Sequence, residues 1–317
     1  NNSQYEFEKY GVEQGTAMNA SLRVFQDKLG YIWIGSQSGI DRFDGYEFTN
    51  FSSIISDSSS PNLKWVNFIT EDSKGNIWAT DQQGNVSKYD RYKEIWSNFD
   101  PVYKDSIKNV PEGRNLQFYP QPSSIVISPD DRYAYVGIFG FGLIRIDSKT
   151  GDQKFYEDNF NWVTWSDFDS AHKMINKIEW IDDTNILVAT GNGLRIFNTV
   201  EEVFSKNIFS GENNQSRLWI SSFAKINNSE YFLSTGQKGV IKSNIVEENI
   251  EIFSEKIDIS KGNSNLLYNK KNEELWVNIE NVGIDIVDLN SEKVIKLREN
   301  NSDLLGRSFN NIIKDNQ

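Results

Sequence analysis

The chain has 317 residues, with 33 lysines and arginines against 45 acidic residues, a net charge of −12, and aromatic residues at 13%. This balance excludes a phosphate-backbone partner, which needs a basic patch, so no nucleic acid is expected. Cysteine is absent and His172 is the single histidine, which removes disulfides, thiolate metal sites and multi-histidine metal centres.

No apolar run approaches the roughly 18 residues of a membrane span, so this segment is not expected to insert into a membrane by itself. The first ten residues lack the basic and apolar regions of a secretory signal. Two readings stay open at this point, a cytosolic chain or one whose signal has been removed.

In chain order, Tyr5 to Tyr10 reads as an outer strand with no blade before it. Ser21 to Phe25 reads as an inner strand, Asp27-Lys28-Leu29-Gly30 as a turn and Tyr31 to Gly35 as a second strand. Gly39 to Asp44 follows as a glycine-led third strand, then Glu47 to Phe51 as a fourth. Asp suits the turn because it can bond its own downstream backbone, and Gly because it accepts positive φ. The second copy restates the pattern with Asp72-Ser73-Lys74-Gly75, then Asn76-Ile77-Trp78-Ala79, then Gly84 to Asp90. Later copies carry third strands beginning at Gly142, Gly193, Gly239 and Gly283. Outer strands are predicted at Glu94 to Phe99, Gln153 to Tyr156, Val203 to Ile208, Ile250 to Phe253 and Val294 to Leu297.

Trp33, Trp78, Tyr135, Leu187, Phe232 and Trp276 hold one place in these copies and recur every 44 to 57 residues. Such a period, with four short strands per copy, predicts an all-β fold, a β-propeller of four-stranded antiparallel blades. The copies give one domain over 1–317, with blades near 20–51, 64–99, 122–156, 174–208, 219–253 and 265–297. Ser308 to Asp315 reads as the inner strand and turn of a further copy, which with 5–10 makes the expectation seven blades with blade seven incomplete. Six blades is the fallback. Trp33, Trp78 and Trp276 are expected in the core.

Asp27 to Gly35 and Gly39 to Gly45 resemble the two-component regulator propeller repeat, which runs Asp-x-x-Gly, Ile-Trp-Ile-Gly, then Gly-Leu-x-Arg-Tyr-Asp. The second copy matches well, the sixth in part through Leu275-Trp276-Val277, and copies three to five are degenerate. The resemblance implies the periplasmic sensor of a hybrid two-component system, with oligosaccharides as ligands. It further implies that the chain is a piece of a larger receptor, whose other domains and second copy in a homodimer are its partners. Neither kinase nor membrane span is visible in the sequence.

Loops between second and third strands and those between blades share one face of a propeller, and such loops carry binding. Two inter-blade loops are long. The first supplies Arg114 and Tyr119, the second Trp162, Trp165, Asp167 and His172. Flat aromatics mixed with amides and carboxylates suit sugar recognition, although large aromatics are mostly buried and Trp162 and Trp165 more often cover blade edges. Shorter loops on the same face add Gln37, Gln82, Phe139, Phe141, Asn192, Gln237, Glu280 and Asn281. No catalytic residue, metal or cofactor is assigned. The leading expectation is a non-catalytic ligand-sensing or assembly module; a lyase or glycosidase, and a protein-interaction scaffold, are the alternatives.

Overall fold

Alternating apolar positions and glycine-bearing turns produce six four-stranded antiparallel meanders in a computed structural model that describes residues 8–19, 21–54, 56–99, 121–156, 171–212, 216–299 and 312–314. Blade one is β1 (Ser21–Gln26), β2 (Ile32–Ser36), β3 (Gly39–Phe43) and β4 (Phe48–Ser52). Blade two is β5 (Val66–Glu71), β6 (Ile77–Asp81), β7 (Val86–Asp90) and β8 (Ile95–Phe99). Blade three is β9 (Gln121–Ile127), β10 (Tyr133–Phe139), β11 (Gly142–Asp147) and β12 (Gln153–Tyr156). Blade four is β13 (Ile175–Trp180), β14 (Asn185–Thr190), β15 (Gly193–Asn198) and β16 (Val203–Ile208). Blade five is β17 (Ile220–Lys225), β18 (Glu230–Thr235), β19 (Gly239–Asn244) and β20 (Asn249–Glu251), followed by the short helix α1 (Phe253–Lys256). Blade six is β21 (Ser264–Asn269), β22 (Glu274–Ile279), β23 (Gly283–Asp288) and β24 (Lys293–Leu297).

The core lies between successive blades, because blades two to five each bury both faces against their neighbours. Trp33 points from blade one into a layer with Val66, Ile69, Ile77, Ala79 and Tyr89 of blade two. Trp78, Tyr135, Leu187 and Phe232 do the same from blades two to five. At Gly39, Gly193 and Gly283 the glycine that leads the third strand is needed because that strand starts against the end of the fourth. A Cβ on Gly39, at φ +139, would sit 2.2 Å from the Phe51 carbonyl oxygen, and one on Gly193 would sit 2.5 Å from that of Ile208.

Five of the six inner strands carry a β-bulge near their start, at Leu22, Asn67, Ser123, Asn176 and Ser221. From the bulges Asn67, Asn176 and Ser221 reach the next blade. Asn67 Nδ2 donates to the Pro122 carbonyl at 2.5 Å and Asn176 Nδ2 to that of Ile220 at 2.8 Å. Blade spacing is thereby fixed just beneath the loop end, which is where the candidate site stands.

Three expectations change. The six sheets match the fallback; the seventh falls largely outside the described residues, and the parts that are described, 8–10 and 312–314, are not in strands. Tyr10 instead packs on Phe43 and Phe48 of blade one, and Ile312 lies against Ile284, Ile286 and Leu297 of blade six. Trp276 is half-buried rather than core, since it packs on the small cluster of Ile284, Ile286 and Leu297 instead of the layer shared with blade five. Its indole N–H donates to Glu274 at 3.2 Å, not to a turn aspartate. The outer strand expected at Ile250 to Phe253 stops at Glu251, because Phe253 turns inward to meet Phe232 at 5.2 Å.

Candidate functional site

The two ends of the molecule use polar side chains differently. At the end bearing the turns between first and second strands, Asp27 and Asp72 are buried and fully engaged. Asp27 accepts from the Leu29 and Tyr31 amides, the Trp33 indole at 2.8 Å and Arg91 of blade two at 2.6 Å. Asp72 accepts from the Lys74 and Asn76 amides, the Asn76 side chain and the Trp78 indole, and pairs with Lys88 at 3.2 Å. This is why the turn begins with Asp. One carboxylate closes the hairpin and caps the tryptophan of the core.

At the opposite end, the loops between second and third strands are stitched to the inter-blade connections by backbone hydrogen bonds. The Trp65 amide donates to the Gln37 carbonyl at 3.2 Å, and the Gln82 amide to the Trp65 carbonyl at 3.1 Å. Gly140 is tied to Lys173, Gly191 to Met174 and Glu280 to Asn263 in the same way. These bonds position side chains on a rigid rim.

On blades one and two, Trp65 is 41% exposed, whereas Trp33, Trp78 and Trp96 are buried and Trp180, Trp219 and Trp276 half-buried. Its backbone sits at φ +57, left-handed for a residue with a bulky side chain. That conformation costs on the order of 1–3 kcal/mol, and such strain clusters at functional positions. Among the described residues the indole N–H has no hydrogen-bond partner and the ring stacks on no other aromatic. The side chains of Gln37 and Gln82, on either side, are likewise uncommitted among the described residues. Asp81 beneath them is buried, and that burial pushes its carboxyl up despite hydrogen bonds from Asn85 and from the Lys64 and Gln83 amides. The rim around Trp65 is therefore polar without a free carboxylate beneath the ring.

The remaining expected residues divide. Phe139 lies on blade three, 6.1 Å from Trp219 of the blade-five entry, and bridges in β fashion to Met174. His172 is half-buried in a single turn of 3-10 helix, Ala171–Lys173, so Phe139 and His172 belong to one arc of the rim. Asn192 is consumed structurally, since its side chain accepts from the Gly211 amide at 2.9 Å and donates to the Gly211 carbonyl at 3.3 Å. Gln237 and Asn281 are exposed on blades five and six, Asn281 at φ +59 as a turn residue. Arg114, Tyr119, Trp162, Trp165 and Asp167 lie outside the described residues. Gln37 and Gln82 are the expected residues that meet Trp65. The sequence reading missed Trp65 itself; the signal was that Trp65 and Trp219 both stand one residue ahead of an inner strand.

Among the described residues no cluster of three or more histidines or carboxylates could hold a metal ion, and no helix is long and apolar enough to cross a membrane.

Six radially stacked meanders with engaged turns and stitched loops define a β-propeller. The same fold covers 97% of this chain in a solved structure described as the extracellular domain of a hybrid two-component system from B. thetaiotaomicron, with a TM-score of 0.71 at 20% identity. This chain covers 39% of that one. Among curated proteins, Histidine kinase P4 of Formosa agariphila is 30% identical over 59 residues, which is 19% of this chain and 4% of the kinase. No family model matches the chain.

Proposed function

We propose that this propeller is the ligand-recognising part of a two-component sensor, exposed outside the cytoplasm and responsive to oligosaccharides. The observation that carries the reading is the loop rim, where an exposed tryptophan and uncommitted amides stand on backbone braced by hydrogen bonds between loops. The solved extracellular domain that shares its fold and the histidine kinase that shares a segment of its sequence support the sensor part. Uncharged amides and an aromatic plane support the sugar part, because hydroxyl groups need neutral donors and acceptors while ring C–H faces need a flat apolar surface.

Signalling follows from differential binding. A ligand shifts the balance between two arrangements of the receptor only by the difference in its affinity for them. No step in this scheme makes or breaks a covalent bond in the ligand. Glycoside cleavage needs two carboxylates at a set separation across the scissile bond, and Asp81, beneath the rim around Trp65, is buried and hydrogen-bonded.

Thermal-shift and calorimetric titration of the purified chain against defined oligosaccharides tests the proposal, since a ligand of the folded state raises Tm with concentration. Saturable stabilisation with the sugar recovered intact is expected. Steady cleavage of the sugars, or no stabilisation by any of them, would overturn it.

A further inference from the structure

We infer that Trp65, flanked by Gln37 and Gln82, is a stacking platform for the apolar face of a neutral pyranose ring. The inference rests on the glycan reading above and locates it on the rim of blades one and two.

Three independent features converge at this residue. It is the exposed member among the seven described tryptophans, the other six being buried or half-buried. Its φ of +57 is one that glycine would adopt without strain, so packing alone does not account for a tryptophan here. Its amide and carbonyl are held between the Gln37 carbonyl and the Gln82 amide, so the ring is displayed from a braced backbone rather than from a loose loop.

The flanking chemistry selects the ligand class. Gln37 and Gln82 occupy the same place in the loops of adjacent blades, and each offers one acceptor and two donor hydrogens without charge. Asp81 cannot serve a cation, because its oxygens are taken by the Lys64 and Gln83 amides and by Asn85. A flat apolar surface bordered by neutral amides on both sides fits a ring with C–H groups on its face and hydroxyls on its edge.

The comparison with Trp219 sharpens the point. Trp219 holds the equivalent place before β17, yet it packs near Phe139 at 6.1 Å, lies beneath Arg217, and approaches within 3.2 Å of the position a Cβ would take on Gly191. One tryptophan is used to build the rim. The other is left facing outward.

The test uses the intact chain, an array of defined neutral and acidic oligosaccharides, and calorimetry on the sugars that bind. Trp65→Gly removes the ring while relieving the left-handed backbone. We expect Tm within about 2 °C of the parent, and affinity for a bound neutral sugar lowered at least about tenfold. The double change Gln37→Ala with Gln82→Ala leaves the tryptophan and its backbone in place. It should weaken the same sugar several-fold at unchanged Tm, which keeps the inference testable if the glycine variant folds poorly. Parental affinity in both variants would overturn the platform while leaving the sensor reading intact. Binding confined to acidic sugars would overturn the neutral-ring assignment. An array on which the parent chain binds nothing would overturn the glycan reading and this inference with it.

Discussion

The turn end and the loop end of this propeller are built from the same repeat, yet they spend their polar groups in opposite ways. Asp27 and Asp72 bury their carboxylates and engage them with amides, indoles and cations from two blades. Gln37 and Gln82 stand at the other end of the same hairpins with backbone atoms tied and side chains uncommitted among the described residues. A scaffold that completes its own hydrogen bonding at one end can present unfinished hydrogen bonding at the other. That is the division expected where rigid sheets support variable, recognising loops.

The sharpest way to break this comparison is to remove the cap at the turn end. Asp72→Ala leaves the Trp78 indole, two amides and Lys88 without their acceptor. Buried donors stripped of a charged partner should cost about 3–5 kcal/mol in denaturant unfolding; a loss below about 1 kcal/mol would show that the cap is dispensable. Asn192→Ala is a smaller test at the loop end, where the side chain is already engaged with both polar atoms of Gly211. About 1–2 kcal/mol is expected there, measured the same way, with sugar affinity unchanged if Asn192 is structural as the bonds indicate.

Acid titration offers a third test. Glu202 of blade four reaches back to Lys154, Tyr156 and Arg145 of blade three, and the Lys154 contact first, then Tyr156 and Arg145, holds its carboxyl below the ordinary range. A depressed folded-state value gives stability that is present above the unfolded value, near about pH 4, and lost as pH falls through the folded one. Glu202→Gln should therefore lower Tm at neutral pH and flatten the fall of Tm on acidification. Parallel Tm curves for the two proteins would remove Glu202 from the account. The smallest effect is expected at Glu94, where a non-glycine residue sits at φ +55 with an exposed side chain. Glu94→Gly should raise stability by up to about 1 kcal/mol, seen as an upward shift of the urea midpoint at constant slope.

The repeat was legible because its three demands leave marks on residue type. Asp27 and Asp72 must cap, Gly39 and Gly193 must clear a carbonyl, and Trp33 and Trp78 must fill a blade interface. Val203 to Ile208, a degenerate copy, still gave its strand bounds, because alternation survives when the motif does not. What failed was whatever depends on a neighbour rather than on the repeat. Trp276 keeps its place in the pattern but packs, like Ile312, on the small cluster of Ile284, Ile286 and Leu297. Phe253 leaves its strand because Phe232 offers a better contact. Trp65 carries no motif, and nothing in residue type alone reports that its backbone turns left-handed. Asn192 reads like Gln37 in sequence, and a carbonyl and amide nineteen residues away decide that it is structural.

Glu202, Glu248 and Glu292 close equivalent hairpins on blades four, five and six, all at positive φ. Each extends backward at the turn end, to Arg145 and Lys154, to Lys206, and to Lys256 in α1 respectively. The chain thus accepts an awkward backbone three times over to hook blades four, five and six each onto the one before it. Running in one circumferential sense from blade six back to blade three, these ionic hooks are partly open to solvent, so salt should loosen them together and leave the apolar layers between the wedges intact.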